Sequence, residues 1–479
     1  MSLPSGSSYE RVQRDGSLAK QAHSAIQFGL RWWKAWREQS VNRRVFAAMV
    51  TVGAFTILVK LASAVKEVVI AYQFGRSDAL DAFLMALLLP QFVIELVGGS
   101  VSSAFIPAYI QVKEGGGREA AQRLFSSVLM SSISLAFGAM LLLALLIPYA
   151  LPVLASGFAP SKLELTRHIF FLLLPILLCC GLAAVWSAVL NVDGRFALGA
   201  VTPIVTPALT VFVLLLFGMP EPSGIFILAA ATVVGLAMEA GLLGWGLSRR
   251  GVSLLPRWHG LSPAMRQVFS QYAPVLAGAF LMGSTTVVAQ SMAAMLGPGS
   301  VSALVYGSKL TTLLLGLASV AIGTAVLPHF SKMVALKDWR GLRHTFVTYV
   351  QLIALISLPV TLLLVYFSEV LVRLFFQRGA FTEADTYLVG WVQSLYLLQV
   401  PLFALGILAV RLISALQANY LLTWCAGMNL CLNIILSYFF MKWLAVAGIA
   451  LATSVMYLVS TGFLLYMAHR LLKTVQPIH

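Results

Sequence analysis

VFAAMVTVGAFTILVKLASAVKEVVIAYQF, residues 45–74, decides the fold class and raises the first question about function. Its thirty residues carry only three charges, and a run of that length crosses the roughly 30 Å hydrocarbon core of a bilayer as a helix. The charges are Lys60, Lys66 and Glu67. Fifteen uncharged residues, Val45 to Val59, precede Lys60, so it cannot be a helix end reaching for the interface. A charge near the bilayer centre costs at least a few kcal/mol and usually faces a protein interior or a water-filled cavity. A chain that keeps such charges is expected to handle something charged inside the membrane.

Similar runs fill the rest of the chain. Hydrophobic residues are 59% of the sequence and charged residues 10%, with a mean hydropathy of +0.90; soluble domains are nearer half apolar and about a quarter charged. Twelve candidate spans are read, at about 45–74, 79–109, 121–153, 167–192, 198–218, 225–247, 264–296, 301–334, 344–367, 386–416, 421–441 and 445–470. The runs are continuous rather than alternating, which selects helices over barrel strands. Cys179, Cys180, Cys425 and Cys431 lie within spans without ligand spacing and are expected to be packing residues. No GxxxxGK[ST] loop, HExxH motif or paired aspartates at DxD or DDxxD spacing occur, so the sequence predicts no enzyme, no cofactor and no resident metal. Energy for any transport must come from a gradient, of Na⁺ or protons, or from substrate flux.

Lysine and arginine set the expected orientation. With the N-terminus in the cytoplasm, 23 of the 32 basic residues fall on the cytoplasmic side and six on the outside, with Lys60, Lys66 and Lys309 inside spans. Both termini are therefore expected to be cytoplasmic. The net charge of +15 reflects this bias and attraction to anionic lipid, not nucleic-acid binding. Residues 1–44 are not a signal peptide; residues 23–44 read as a basic interfacial helix anchored by Trp32, Trp33 and Trp36, after a polar stretch expected to be disordered.

The chain also repeats itself. Ser103-Ala104-Phe105-Ile106-Pro107-Ala108-Tyr109 returns as Thr324-Ala325-Val326-Leu327-Pro328-His329-Phe330, and Arg123-Leu124-Phe125 as His344-Thr345-Phe346, both 221 residues later. Gly157-Phe158-Ala159-Pro160 is echoed by Gly379-Ala380-Phe381-Thr382. Two similar halves in the same orientation imply parallel repeats, an architecture of transporters that rock two bundles about a central site. The predicted fold is an all-α polytopic membrane protein with about 12 transmembrane helices in two pseudo-symmetric six-helix bundles. The expected units are a basic segment 1–44, a bundle 45–247, a linker 248–263, a bundle 264–470 and a tail 471–479. Prolines and glycines within the spans, Pro90, Pro107, Pro175 and Pro401 among them, permit kinks.

The candidate site gathers the intramembrane charges. Lys60 and Glu67, seven apart, share nearly one helix face, while Lys66 points about a third of a turn away. Asp81, early in the second span, is placed to pair with Lys66 or Lys60; Glu95, Glu239 and Lys309 lie in the second, sixth and eighth spans. Lys60, Lys66 and Lys309 come from both halves and would favour an anionic ligand such as a pyrophosphate, although Glu67, Asp81 and Glu95 offset them. Mutually neutralised pairs that only hold helices together are the alternative, and Glu239 has no evident role. Asn429 and Asn433 lie on one face with Thr453 in the next span; their oxygens suit either a Na⁺ ion or, more commonly, interhelical hydrogen bonds.

Lys60, Lys66-Glu67, Phe74-Gly75, Asp81-Ala82-Phe83, Leu89-Pro90, Ser103-Ala104-Phe105 and Pro107 fall in the order and approximate spacing of the MurJ/MviN family. Leu190-Asn191, Arg195-Phe196 and Pro203 resemble its fourth-to-fifth span segment. Gly299-Ser300-Val301-Ser302, Tyr306, Lys309-Leu310, Gly323-Thr324 and Leu327-Pro328 resemble its eighth span. Phe376-Gln377-Arg378-Gly379-Ala380-Phe381-Thr382 resembles its ninth-to-tenth span loop. The family comprises lipid II flippases related to MATE exporters. The resemblance implies a V-shaped transporter with a cationic cavity, carrying an undecaprenyl-pyrophosphate-linked sugar across the bacterial inner membrane for peptidoglycan or surface polysaccharide synthesis. Lys60, Lys66 and Lys309 would contact the pyrophosphate, and Asp81 and Glu67 would orient them.

Departures are visible. Lysines stand at positions 60 and 66 where the family has arginines, Glu67 replaces an aspartate, Ile94-Glu95 replaces an arginine pair, and the family's Arg-x-x-Glu becomes Lys309 with Thr312. The glutamate of an EGAFS-like motif is missing at Gly98-Gly99, and twelve spans are read where many members have fourteen. Lysine cannot offer a phosphate the two-pronged fork of arginine. These departures point to a divergent member, with an exopolysaccharide-specific flippase or a MATE-like cation-coupled exporter as the alternatives; a polyprenyl-sugar transferase and a non-transporting scaffold are the rivals from other classes.

Overall fold

The computed structural model describes residues 41–218 and 223–475, and every regular element among them is helical. The helices are α1 (Val41–Phe74), α2 (Asp78–Leu154), α3 (Pro160–Leu173), α4 (Ile176–Val192), α5 (Phe196–Val201), α6 (Val205–Phe217), α7 (Ser223–Ser248) and α8 (Pro263–Ala294). They continue with α9 (Ser300–Ala335), α10 (Trp339–Tyr366), α11 (Ser368–Phe376), α12 (Glu383–Leu397), α13 (Gln399–Ala415) and α14 (Tyr420–Val475). The expected tryptophan-anchored helix lies outside the described residues, apart from its last four, which open α1.

Two helices are bent double. Residues from both ends of α2, Leu80 and Leu151, share one core, so the chain turns back at Gly117, whose φ of 72° suits a residue without Cβ. Leu421 and Leu464 of α14 likewise share a core, and the turn falls at Ala445 (φ 47°). Conversely, α3 and α4 form one crossing broken at Pro175, and α12 and α13 one broken before Pro401, because proline supplies no backbone N–H to the ladder. Among the described residues ten helices are long and apolar enough to cross a membrane. Dividing the doubled Tyr420–Thr474 and adding α1 recovers the twelve runs read in the sequence.

Alanine at position 445 holds a backbone region that glycine occupies freely. Replacing Ala445 with Gly is expected to stabilise the protein by about 1 kcal/mol. A higher melting temperature of the detergent-solubilised protein would show it, and a lower one would count against strain at this turn.

Three cores shape the molecule. The largest joins both halves at one end of the helices: Phe74, Phe83, Leu151 and Phe170 pack there with Ala293, Leu304, Val392 and Val446. At the other end, marked by Lys113, Arg118, Arg195, Arg249 and Arg250, the halves part. One core there holds Phe105, Phe125, Val189 and Leu247 with the start of α8; the other holds Phe330, Phe346, Leu412 and Leu472. The structure is thus a V, closed at the end without these residues (the far end) and open at the basic end. Residues between α7 and α8 run along the outside of α2, where Ser126 Oγ donates to Leu255 O at 2.8 Å and accepts from Arg257 N at 2.7 Å.

Candidate functional site

A cavity of about 350 Å³ lies between the halves beside the shared core. α1 contributes Lys66 and Glu67, α2 Phe83 to Glu95, α7 Thr232, α8 Thr286 and Gln290, and α9 Tyr306 and Lys309. Its walls are mainly Phe83, Leu84, Leu87, Phe92 and Val305, so its charges stand in apolar surroundings. Lys66 Nζ lies 3.3 Å from Glu67 Oε1. Lys309 Nζ, from the other half, lies 3.0 Å from the same oxygen. One carboxylate therefore holds two ammonium groups and ties α1 to α9. These groups sit seven to nine residues from the far ends of their helices, about 10–14 Å deep.

The sequence expectations divide at this point. Lys66, Glu67 and Lys309 converge. Lys60 does not: it is exposed on α1, two turns toward the basic end, where the halves have separated, and is not among the cavity's lining residues. Glu95 does line the cavity and accepts from Gln91 Nε2 at 3.2 Å. Two lysines thus face two glutamates, and the lining is formally neutral. Each ammonium group nonetheless has three donors, of which the pair with Glu67 uses one.

The expected pairing of Asp81 with Lys66 or Lys60 is corrected. Asp81 is 1% exposed and belongs to the far-end seal. Its Oδ2 accepts Gly299 N and its Oδ1 accepts Ser302 N, both at 2.8 Å, while Lys162 Nζ lies 3.1 Å away and also pairs with Asp78. The reason is local. Gly299 has no side chain to cap α9, so an aspartate from the opposite half satisfies the orphan amides and meets the positive end of the helix. Arg76 pairs with Asp385 at 3.0 Å across the same seam. Ala380 N donates to Tyr72 O at 2.8 Å. Main chains touch there: a Cβ on Gly75 would strike Ala380 O, and one on Gly379 would strike Tyr72 O. Lys162, Arg76, Asp385 and the α9 amides were not singled out from sequence. Lys162 gives a charge signal only as an outer-loop cation, and amides give none.

Asn433 is 1% exposed, and it lines a second cavity, about 220 Å³, together with Thr453, Gln399 and Thr311. Asn429 lines an adjoining one of about 360 Å³, and both cavities touch Thr285, Met456 and Tyr457. The Oδ1 atoms of Asn429 and Asn433 lack hydrogen-bond partners, and the Thr453 hydroxyl donates to Ile449 O at 3.1 Å. The interhelical bonds allowed for these amide oxygens are not formed.

Two all-helical halves, joined at one end and parted at the other around intramembrane ion pairs, define a membrane transporter of the two-bundle kind. The family model described as Lipid II flippase MurJ matches residues 70–478. A probable lipid II flippase MurJ of Thermotoga maritima is 28% identical over 415 residues, covering 85% of this chain and 82% of that protein. A structure of the lipid II flippase MurJ in an inward closed conformation superposes with a TM-score of 0.75 at 22% identity, covering 88% of this chain and 87% of that one. An inward-facing multidrug resistance MATE family transporter of the MOP superfamily shares the fold at a TM-score of 0.72 and 12% identity, covering 89% and 98%. The chain belongs to the MurJ family, and it is a transporter rather than an enzyme.

Proposed function

We propose that this protein flips an undecaprenyl-pyrophosphate-linked glycan, lipid II or a close relative, from the inner to the outer leaflet of the bacterial cytoplasmic membrane. The observation that carries this reading is the meeting of Lys66 and Lys309, one from each half, on Glu67 inside a cavity shut at the far end. A pyrophosphate arriving through the open basic end competes with Glu67 for both ammonium groups. Its success loosens the Lys309–Glu67 tie between α1 and α9 and converts binding energy into movement of the halves. Lys60, exposed on α1 two turns toward the basic end, meets the anion on the way in. Asp81 acts at the seal, not on the substrate.

The positive-inside bias places the basic end and both termini in the cytoplasm. The units we propose are bundles 45–247 and 264–470 joined by 248–263, with the segment 1–44 and the tail 471–479, the start of α8 reaching across into the core of the first bundle. The orphan oxygens of Asn433, in the cavity it shares with Thr453, and of Asn429, in the adjoining one, supply acceptors for a coupling Na⁺ ion in the second half. Lysines in place of arginines favour one variant of the reading, a carrier for a surface polysaccharide. Complementation of cells depleted of their own MurJ decides: rescue assigns lipid II, and failure together with loss of a surface polysaccharide in the native host assigns the variant. Purified protein that neither binds nor moves any lipid-linked sugar would end the proposal.

A further inference from the structure

Glu239 takes no part in the cavity's ion pairs, yet it lies within the membrane span. It stands nine residues before the end of α7, about 14 Å along the helix from the basic end. Leu228, Ala231, Gly235, Ala240, Leu243 and Leu247 form the buried face of this helix. Val234, Met238 and Trp245 are exposed on the other side. Glu239 is half-buried and lies on this side of the helix, four residues after Gly235 and four before Leu243. Thr232, two turns earlier on the same face, lines the central cavity.

Its surroundings are poor in charge. Thr206 Oγ1, from α6, donates to Glu239 Oε2 at 3.3 Å. On α4, which packs against α7, the titratable groups are Cys179 and Cys180. Glu164, Arg167 and His168 of α3 stay toward the far end, where that helix begins. On α2, Asp78 and Asp81 are held by Lys162, Lys113 by Asp193, Glu95 by Gln91, and Arg118 by Arg250 O; Glu119 and Arg123 pair with each other. Arg195 precedes α5, and Arg249 and Arg250 lie beyond the end of α7. Among the described residues no lysine, arginine or histidine comes within 4.0 Å of the carboxylate.

A carboxylate even partly withdrawn from water without a cation is costly, and it is relieved by binding a proton or an ion. A hard metal cation collects several oxygen ligands; a single threonine hydroxyl does not provide them. A proton needs only the carboxylate, and the acid formed donates its O–H to Thr206 Oγ1 in place of the bond it accepted. We propose that Glu239 is a proton-binding site of the first half, loaded from the basic end in the open form and linked to movement of the halves, so that protons contribute to coupling. This rests on the transporter reading for its purpose, but not for the binding of the proton.

Infrared difference spectra of the membrane-reconstituted protein, recorded between acid and alkaline pH, test it directly. The expected result is a carboxylic-acid C=O band that fades as pH rises and is missing from the difference spectrum of Glu239→Gln. Thr206→Val keeps that band and shifts its midpoint, which covers the case of a Gln variant that fails to fold. A wild-type band unchanged in Glu239→Gln overturns the proposal. So does a band whose loss follows Na⁺ concentration rather than pH. Flipping of lipid II in the same vesicles is scored separately, so a failed proton site and a failed substrate assignment remain distinguishable.

Discussion

Replacing Lys309 with Gln lowers flipping of lipid II in reconstituted vesicles by roughly 10- to 100-fold, with the melting temperature nearly unchanged. The size follows from what is removed. A hydrogen bond to a charged group contributes about 1.5–3 kcal/mol, and each 1.4 kcal/mol is tenfold. Lys309 is 37% exposed and Glu67 keeps Lys66 at 3.3 Å, so the fold loses little. Lys66→Gln has the same effect from the other half. Lys309→Arg retains activity, because the charge stays and a planar fork suits phosphate. Glu67→Gln separates the roles: it removes the competing carboxylate and keeps both ammonium groups, so substrate binding tightens while the tie between α1 and α9 is lost. Undiminished flipping by Lys309→Gln would remove the pyrophosphate from this cavity.

Asp81→Ala is expected to shift the protein away from the form closed at the far end. Asp81 is almost wholly buried, accepts two backbone N–H groups at 2.8 Å and holds Lys162. Deleting one partner of a buried pair costs about 3–5 kcal/mol, because the other is left without its counter-charge. Two transporter states usually differ by only a few kcal/mol, so a loss of that size inverts their populations. The readout is a single cysteine at Val305 in a background lacking Cys179, Cys180, Cys425 and Cys431, labelled by an impermeant maleimide from the far side. Labelling rises at least tenfold in Asp81→Ala and net flipping falls. Equal labelling with and without Asp81 would show that the seal does not depend on it.

The fold was legible where physics is carried by composition. Apolar runs long enough to cross a bilayer have no other stable disposition, and the repeat at 221 residues announced two halves. Lys66, Glu67 and Lys309 were legible for a related reason: charge inside an apolar helix demands a partner. What the sequence hid was the partner's identity. The ligands of Asp81 are main-chain amides of Gly299 and Ser302, and the same atoms occur in every residue of the chain except proline. Helical spacing alone did not show that Lys60 stands apart from the pairing of Lys66 and Lys309 with Glu67. It shares a face with Glu67, but the halves diverge before reaching it, and divergence is a property of two separate cores that no single helix records. The break between residues 441 and 445 was legible as the gap between two apolar runs, but the positive φ of Ala445 was not, since nothing in the sequence marks alanine for it.

The contact of Tyr72 and Gly75 with Gly379 and Ala380 has an electrical consequence. A carrier that moves a bulky anion through a charged cavity risks becoming a conductance. Each elementary charge slipping through would dissipate about 2.3 kcal/mol per 100 mV of membrane potential. Side chains swing on the nanosecond scale and admit files of water, whereas abutting main chains leave no such file and part only when whole helices move. The far end is therefore insulated by backbone, and the same main-chain contact that shuts the cavity also keeps the membrane polarised.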